Sequence, residues 1–499
     1  MDNPSFARRV TSFFTNMSEQ KSVAIVFVVA MFIDIMDGTI VNTALPAIGR
    51  DFHHGSPTDL SWVVLGYLMS LAIWIPASGW LGDRFGTKKI FLFALAMFTG
   101  ASALCGLAGS INQLTFFRFL QGIGGGMMTP VGTTMLSRVY PPHQRQRAGS
   151  LLAIPALLAP ATGPVLGGWI TDTWSWRWIF YVNVPLGVAA FLFGLWRVKE
   201  YQHHAENKFD PTGFVFSAVS LSTILYALNR VETSGWGSPS VYMPLLVGLA
   251  SGVALVLAQK RVKEPLLALR LFKDRVFTVT NIVSAFATAS FFGLILIMPL
   301  MLQGVRGLSP SMSGLTTFPQ ALGVMMMSPL SRLLYPKIGP RRMLVVGLTL
   351  AGATMMLLLD TSLTSNLWVY RSILFGRGLC WAFIFSPLQA AAFSQVSLPD
   401  TGRASALYAT QRQVASSLGV AILISILMTQ INHVKATLGT IPPALVASHY
   451  YDAYKWPFLM TCLFAFGGAF FALFIDDHKV LAVYRERAAR QAAASKAEA

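Results

Sequence analysis

The sequence predicts an all-α membrane protein of fourteen transmembrane helices, arranged as two six-helix bundles plus two extra linker helices. Three observations predict it. Of the 499 residues, 54% are hydrophobic and only 12% charged, where a soluble globular protein carries about 25% charged residues; the mean hydropathy is +0.56. Apolar runs long enough to cross a bilayer, which takes about 20 residues, recur between short polar loops. With the amino terminus inside, the cytoplasmic segments hold 28 of the 38 Lys and Arg, the bias that orients membrane helices. The net charge of +17 is therefore a topology signal and not a nucleic-acid footprint, and both termini are expected in the cytoplasm.

Taken in order, residues 1–21 form an N-terminal segment in which Phe6, Val10, Phe13, Phe14 and Met17 share a helical face, with Arg8 and Arg9 outside it. That pattern suits a short helix lying on the membrane surface, and a disordered tail remains open. The first apolar run is too long for the core of a cleavable signal peptide. The N-terminal bundle covers 22–197, with spans at 22–46, 60–81, 89–110, 114–138, 147–171 and 178–197. Long polar stretches bracket the spans 212–231 and 241–259, which makes 198–275 a linker region. The C-terminal bundle, 276–475, has spans at 277–303, 312–335, 343–360, 368–395, 404–430 and 456–475. Residues 476–499 are a basic, Ala-rich tail suited to anionic lipid headgroups. Gly86-Thr87-Lys88-Lys89, after the second span, is echoed by Gly339-Pro340-Arg341-Arg342 after the tenth. Repeated halves with a substrate site between them are a common transporter plan. Cys105, Cys380 and Cys462 all fall within spans, an odd set with no disulfide framework and no metal spacing.

Asp34 and Asp37 carry the sharpest chemical signal. Counted at about 1.5 Å per residue, both lie near the middle of the first span. An acid there costs at least about 2.5 kcal/mol, which makes it a functional site by default. Spacing i, i+3 puts the two on one helix face, where they are expected to act as a coupled pair. They are the only carboxylates deep in any span. Arg118, inside the fourth span, also needs a partner or a wet cavity. Its depth matches that of Asp37, and a carbonyl-bonded structural Arg is the other reading. Trp62, Tyr67 and Trp74 in the second span, and Trp381, Phe383 and Phe385 in the twelfth, offer aromatic walls for cation–π contact. Met325, Met326 and Met327 add an adaptable surface.

Four segments resemble signature motifs of the major facilitator superfamily, specifically its fourteen-span drug/proton antiporter family of the multidrug efflux type. Gly79-Trp-Leu-Gly82-Asp83-Arg84-Phe-Gly86-Thr-Lys88-Lys89 is similar to that superfamily's loop motif. Its glycines suit a tight turn and close helix approach, and Asp83 can latch to basic groups on the cytoplasmic face. Arg118-Phe-Leu-Gln121-Gly122 resembles its R-x-x-Q-G motif. Ala159-Pro160-Ala-Thr-Gly163-Pro164-Val-Leu-Gly167-Gly168 resembles the antiporter motif, with Ala159 in place of the first Gly. Small residues and a helix-breaking Pro there make a flexing seam. Trp176-Arg-Trp-Ile-Phe-Tyr-Val-Asn183-Val-Pro185-Leu-Gly187 and Asp37-Gly-Thr-Ile-Val-Asn42-Thr-Ala-Leu-Pro46 are similar to stretches typical of the fourteen-span branch.

The resemblance implies a proton-coupled secondary exporter, not an enzyme, working by alternating access and without a cofactor beyond the proton gradient. Asp37 is the expected coupling site, Asp34 the second proton or substrate-charge site, and Arg118 their counter-ion. Trp62, Tyr67, Trp381, Phe385, Arg412 and Asp34 are candidate substrate contacts. Gly79, Gly82, Asp83, Arg84, Gly86, Gly163, Pro164, Gly167 and Gly168 are the expected gating elements. The expected cargo is a hydrophobic, cationic drug or toxic compound; an amphiphilic or anionic metabolite, such as a lipid, siderophore or antibiotic, is the alternative that Arg377 and Arg412 keep open. Partners are then a small molecule, protons and the lipid bilayer of a cell membrane, with no nucleic acid. The external loop 431–455 is too short to demand an adaptor protein, so a stand-alone monomer is expected. His53, His54, His143, His203 and His204 lie in loops without metal spacing, and no nucleophile motif suggests catalysis.

Overall fold

The computed structural model describes residues 17–483 except 53–56, 141–144, 201–208, 236, 261, 263–268, 397–400, 438–441 and 443–444. The five loop histidines, most of the membrane-surface face proposed for 1–21 and the tail beyond 483 lie outside the described residues. Every regular element among the described residues is helical. In chain order these are α1 (Glu19–Asp51), α2 (Pro57–Phe85), α3 (Thr87–Gly106), α4 (Ile111–Val139) and α5 (Arg145–Thr173). Then come α6 (Trp178–Arg197), α7 (Pro211–Ser234), α8 (Pro239–Gln259), α9 (Arg275–Gly304) and α10 (Pro310–Ile338). The chain continues through α11 (Pro340–Met356), α12 (Leu367–Ala392) and α13 (Thr401–Thr437) to α14 (Val446–Ala472). Ten of them are long and apolar enough to cross a membrane. Many carry an internal proline, among them Pro46, Pro130 and Pro299, which membrane helices tolerate because neighbours satisfy the freed backbone groups.

The packing repeats. In the first six helices α1 meets α4, α5 and α6, α4 meets α2 and α3, and α3 meets α6. In the last six, α9 meets α12, α13 and α14, α12 meets α10 and α11, and α11 meets α14. The two sets touch through α5 against α10, α2 against α13, and α1 against α9. α7 and α8 pair with each other, and α7 lies along α2 and α13. There the Trp62 indole N–H donates to Asn229 Oδ1 at 2.6 Å, and Asn229 Nδ2 donates to Ser61 Oγ at 3.2 Å.

One end of the molecule carries the two basic turns. Gly86 (φ 99°) starts α3 and Gly339 (φ 86°) starts α11, each without a side-chain cap of its own. Each helix start is closed instead by a carboxylate from a distant segment. Glu200 accepts from the Lys88 and Lys89 amides at 3.1 Å each. Asp477 accepts from the Arg341 amide at 2.7 Å. A negative group there satisfies free N–H donors and the positive helix end together. Asp83 pairs with Arg138 at 2.7 Å, and Arg84 is exposed. Of the loop glycines only Gly86 is constrained: beyond its positive φ, a Cβ there would sit 2.5 Å from Glu200, whereas Gly79 faces open space and Gly82 has only ordinary contacts. The expectation of close approach at Gly79 and Gly82 is corrected accordingly.

At the opposite end the Trp-Arg-Trp segment clamps α6 to α1. Arg177 and Trp176 donate to Asp51 at 2.6 Å and 3.0 Å. The loop expected over 431–455 is mostly helical, because α13 runs on to Thr437 and α14 begins at Val446. Tyr451 secures that extension by hydrogen bonding to Thr361 and Tyr370.

Candidate functional site

At mid-depth in the first half, Asp37 is fully buried and saturated. It accepts from the Arg118 guanidinium, from Gln121 Nε2 at 3.0 Å and from Asn183 Nδ2 at 2.8 Å. Arg118 also donates to Gln121 Oε1 at 2.7 Å and to the Val63 carbonyl at 3.3 Å, and lies 4.1 Å from the Tyr67 ring. Asn183 donates further to Ser102 Oγ at 3.2 Å. Five helices, α1, α2, α3, α4 and α6, thus converge on one ion pair. A buried pair survives only with good geometry and its other groups satisfied. Asp34, one turn away, accepts a 2.6 Å hydrogen bond from the Tyr67 hydroxyl. No ion pair joins Asp34 to any described cation.

Between the halves lies a cavity of about 460 Å³. α1 contributes Met31, Ile35, Thr39 and Thr43 to its wall, a stripe at four-residue intervals. The aspartates sit on other faces of the same helix. Most of the remaining lining comes from α9, α10, α12 and α13, and its aromatic wall is Phe291, Trp381 and Phe385, with ring centroids 4.8–5.0 Å apart. Among the described residues its charged lining is Arg332 and Arg412, with no Asp or Glu. The lining reaches Arg332 and Gln389, near the turn-end termini of α10 and α12.

Towards the opposite end the halves are closed. A Cβ on Gly163 would lie 2.1 Å from Thr39 Oγ1, one on Gly167 2.7 Å from the Ile40 carbonyl, and one on Gly168 2.4 Å from the Pro310 carbonyl. Gly314 repeats the arrangement, with its Cβ position 2.1 Å from the Pro164 carbonyl. Glycine here allows backbone-to-backbone contact of α5 with both α1 and α10. Two hydrogen bonds join the halves at that end, from Gln303 Nε2 to the Thr43 carbonyl (2.7 Å) and from the Ser311 amide to Asp172 (2.8 Å).

Of the residues singled out from sequence, Asp37, Arg118, Tyr67 and Asp34 come together in the first half, while Trp381, Phe385 and Arg412 lie on the cavity wall. Trp62, Tyr67 and Asp34 are not on that wall; Trp62 is taken up by α7. Sequence reasoning missed Asn183 and Gln121 as Asp37 ligands, although both stand inside the motifs quoted above. It also missed Gln320 and Arg332, which carry no signal beyond a polar residue in an apolar run.

A family model described as Major Facilitator Superfamily matches residues 27–420. The multidrug resistance protein B homolog of Mycobacterium tuberculosis (strain ATCC 25618 / H37Rv) is 32% identical over 412 residues, which is 82% of this chain and 76% of the relative. The putative multidrug resistance protein MdtD of Escherichia coli O7:K1 is 31% identical over 467 residues, 92% and 96% of the two chains. Among solved structures, a bacterial homolog to the human lysosomal transporter Spinster, inward-facing and unoccupied, superposes with a TM-score of 0.65 at 17% identity over 94% of this chain and 99% of that one. A D-xylose-proton symporter gives 0.65 at 16% identity over 93% and 99%. The chain therefore belongs to the major facilitator superfamily, and it is a multi-pass membrane transporter of small molecules.

Proposed function

We propose that this protein is a proton-coupled antiporter that exports hydrophobic drugs or toxic compounds across a cell membrane by alternating access. One observation carries the reading: α1 presents a stripe to the cavity on one face and two mid-depth carboxylates on others. The names of the multidrug relatives support export of drugs. We further propose that α1–α14 are fourteen spans, with 22–197 and 276–475 as the two bundles and 198–275 as the linker. Both termini and the two basic turns then lie in the cytoplasm, in line with the positive-inside rule, and the chain works as a monomer. On that orientation the cavity reaches toward the cytoplasm and the Gly163–Gly168 seam closes the outside.

In the proposed cycle the cargo enters from the cytoplasm against the aromatic wall. Protons arriving from outside reach Asp37 and Asp34 once the seam has parted. Protonating Asp37 removes the charge that holds Arg118, Gln121 and Asn183, and so loosens α1 from α4 and α6. Because α1 also walls the cavity, its movement links proton and cargo without their sharing a ligand. The sequence-based expectation of a cationic cargo rested on Asp37 and Asp34 attracting it, and neither lines the cavity. Each proton charge moved across about 100 mV supplies about 2.3 kcal/mol. Export assayed in proteoliposomes under an imposed pH gradient tests the reading. Loss of drive in Asp37→Asn is expected, and pumping by that variant at the wild-type rate would sink it.

A further inference from the structure

The second half contains a buried charge that the proposed proton chemistry leaves unused. Arg377, mid-length in α12, is fully buried. It donates to Gln320 Oε1 and to the Ser290 carbonyl, each at 3.0 Å, and its Nε–H has no acceptor. Its guanidinium lies 5.1 Å from the Trp381 ring and 5.9 Å from Phe291. No described carboxylate pairs with it. The Trp381 indole N–H beside it is likewise buried without an acceptor. Gln320 itself lines the cavity, as does Arg412 of α13, which lies by Tyr408 and has no ion-pair partner among the described residues.

This corner has a surplus of donors and positive charge and a deficit of acceptors. An orphaned buried donor costs about 1–3 kcal/mol, and a buried charge without its partner costs several more. In the first half the matching guanidinium in α4 meets the Asp37 side chain of α1. In the second, α9 offers only the Ser290 main-chain oxygen. No described residue supplies the missing anion. A cationic cargo would add to the imbalance, and an anionic group would relieve it. Gln320 gives a route, since its Oε1 accepts a hydrogen bond from Arg377 while its own amide N–H groups remain as donors on a residue that lines the cavity.

We propose that Arg377, Gln320, Trp381 and Arg412 form a subsite for the carboxylate of the exported compound, so that the cargo is a hydrophobic aromatic acid or zwitterion. The inference rests on the export reading and names its substrate class. Rhodamine 19 (a free carboxylate) and its ethyl ester rhodamine 6G form a convenient probe pair that share a xanthylium core and differ only at that group. Equilibrium binding to the purified full-length protein in nanodiscs is expected to favour the acid. Arg412→Gln is expected to weaken the acid by about 10-fold or more, the loss of one charge-assisted hydrogen bond, and the ester by less than about 2-fold. Arg377→Gln is expected to do the same; Arg412→Gln, on the cavity wall, keeps the test intact should the buried variant not fold. Tighter binding of the ester to the wild type, or equal weakening of both dyes by Arg412→Gln, overturns the subsite. Proton-driven uptake into inverted vesicles separates the two claims: uptake of the ester alone rejects the subsite and leaves export standing. Selective acid binding with uptake of neither dye supports the subsite and rejects export.

Discussion

Arg118 and Arg377 are both mid-membrane arginines, in α4 and α12, and their surroundings differ in one respect. Arg118 meets a carboxylate that two other donors also hold. Arg377 meets an amide, a carbonyl and two aromatic faces. The two halves repeat their helix packing closely, so the contrast is chemical and not architectural. One half keeps its charge balanced inside the protein, where protonation can unbalance it. The other leaves its charge to be balanced from the cavity. A duplicated scaffold can in this way divide the work, with energy input on one side and cargo on the other.

The sharpest way to break the contrast is to make the first half resemble the second. Asp37→Asn leaves Arg118 buried and unpaired, which costs about 3–5 kcal/mol, and is expected to lower the melting temperature and abolish proton-driven export. Adding Arg118→Gln is expected to recover much of the stability and none of the transport; thermal melts and vesicle flux measured side by side check both. Next in size is Gly168→Ala, whose new methyl meets the Pro310 backbone. Overpacking of this kind costs about 1–3 kcal/mol and acts only on the closed seam, so cysteine labelling from that end should rise. Unchanged labelling would remove the seam from the gate. Tyr67→Phe takes one hydrogen bond from Asp34, about 1 kcal/mol. It is expected to shift the pH dependence of export while leaving dye binding intact.

The smallest effect concerns the two long-range helix caps. Burial pushes the Asp477 carboxyl above the usual aspartate range, against the opposing pull of the Arg341 amide and nearby basic groups. A carboxyl raised in the folded state contributes most when protonated, and its contribution falls as pH rises through the folded value. Asp477→Asn should therefore match the wild type in acid and melt slightly higher at neutral pH. Glu200→Gln, at a carboxylate that caps two amides, should melt lower. Differential scanning of the two variants across pH compares them directly.

The helices were legible because an apolar run of about 20 residues has few other uses. The meeting of Asp37 with Arg118 was legible for a related reason: two opposite charges at one depth in hydrocarbon have little else to bind. Facing was not legible. Trp62 looks the same in sequence whether it touches cargo or, as here, ties α2 to Asn229 of α7. Gln320 reads as one polar residue among many, and its meaning comes only from Arg377 behind it. The helix over Val446–Ala453 was hidden in a polar stretch, because its anchor, Tyr451 with Tyr370 and Thr361, is tertiary.

The glycine seam has a consequence for speed. Where α5 meets α1 and α10, the surfaces in contact are largely main chain, and glycine has no rotamers to lose when contact forms or to regain when it breaks. Parting that seam therefore releases little side-chain entropy and waits on no concerted repacking. The hydrogen bonds at Asp172 and Gln303 contribute about 1 kcal/mol each, so the closed end is lightly latched. The slow step of turnover is then expected to be the rearrangement of the dense ligand shell around Asp37, and not the parting of the outer door.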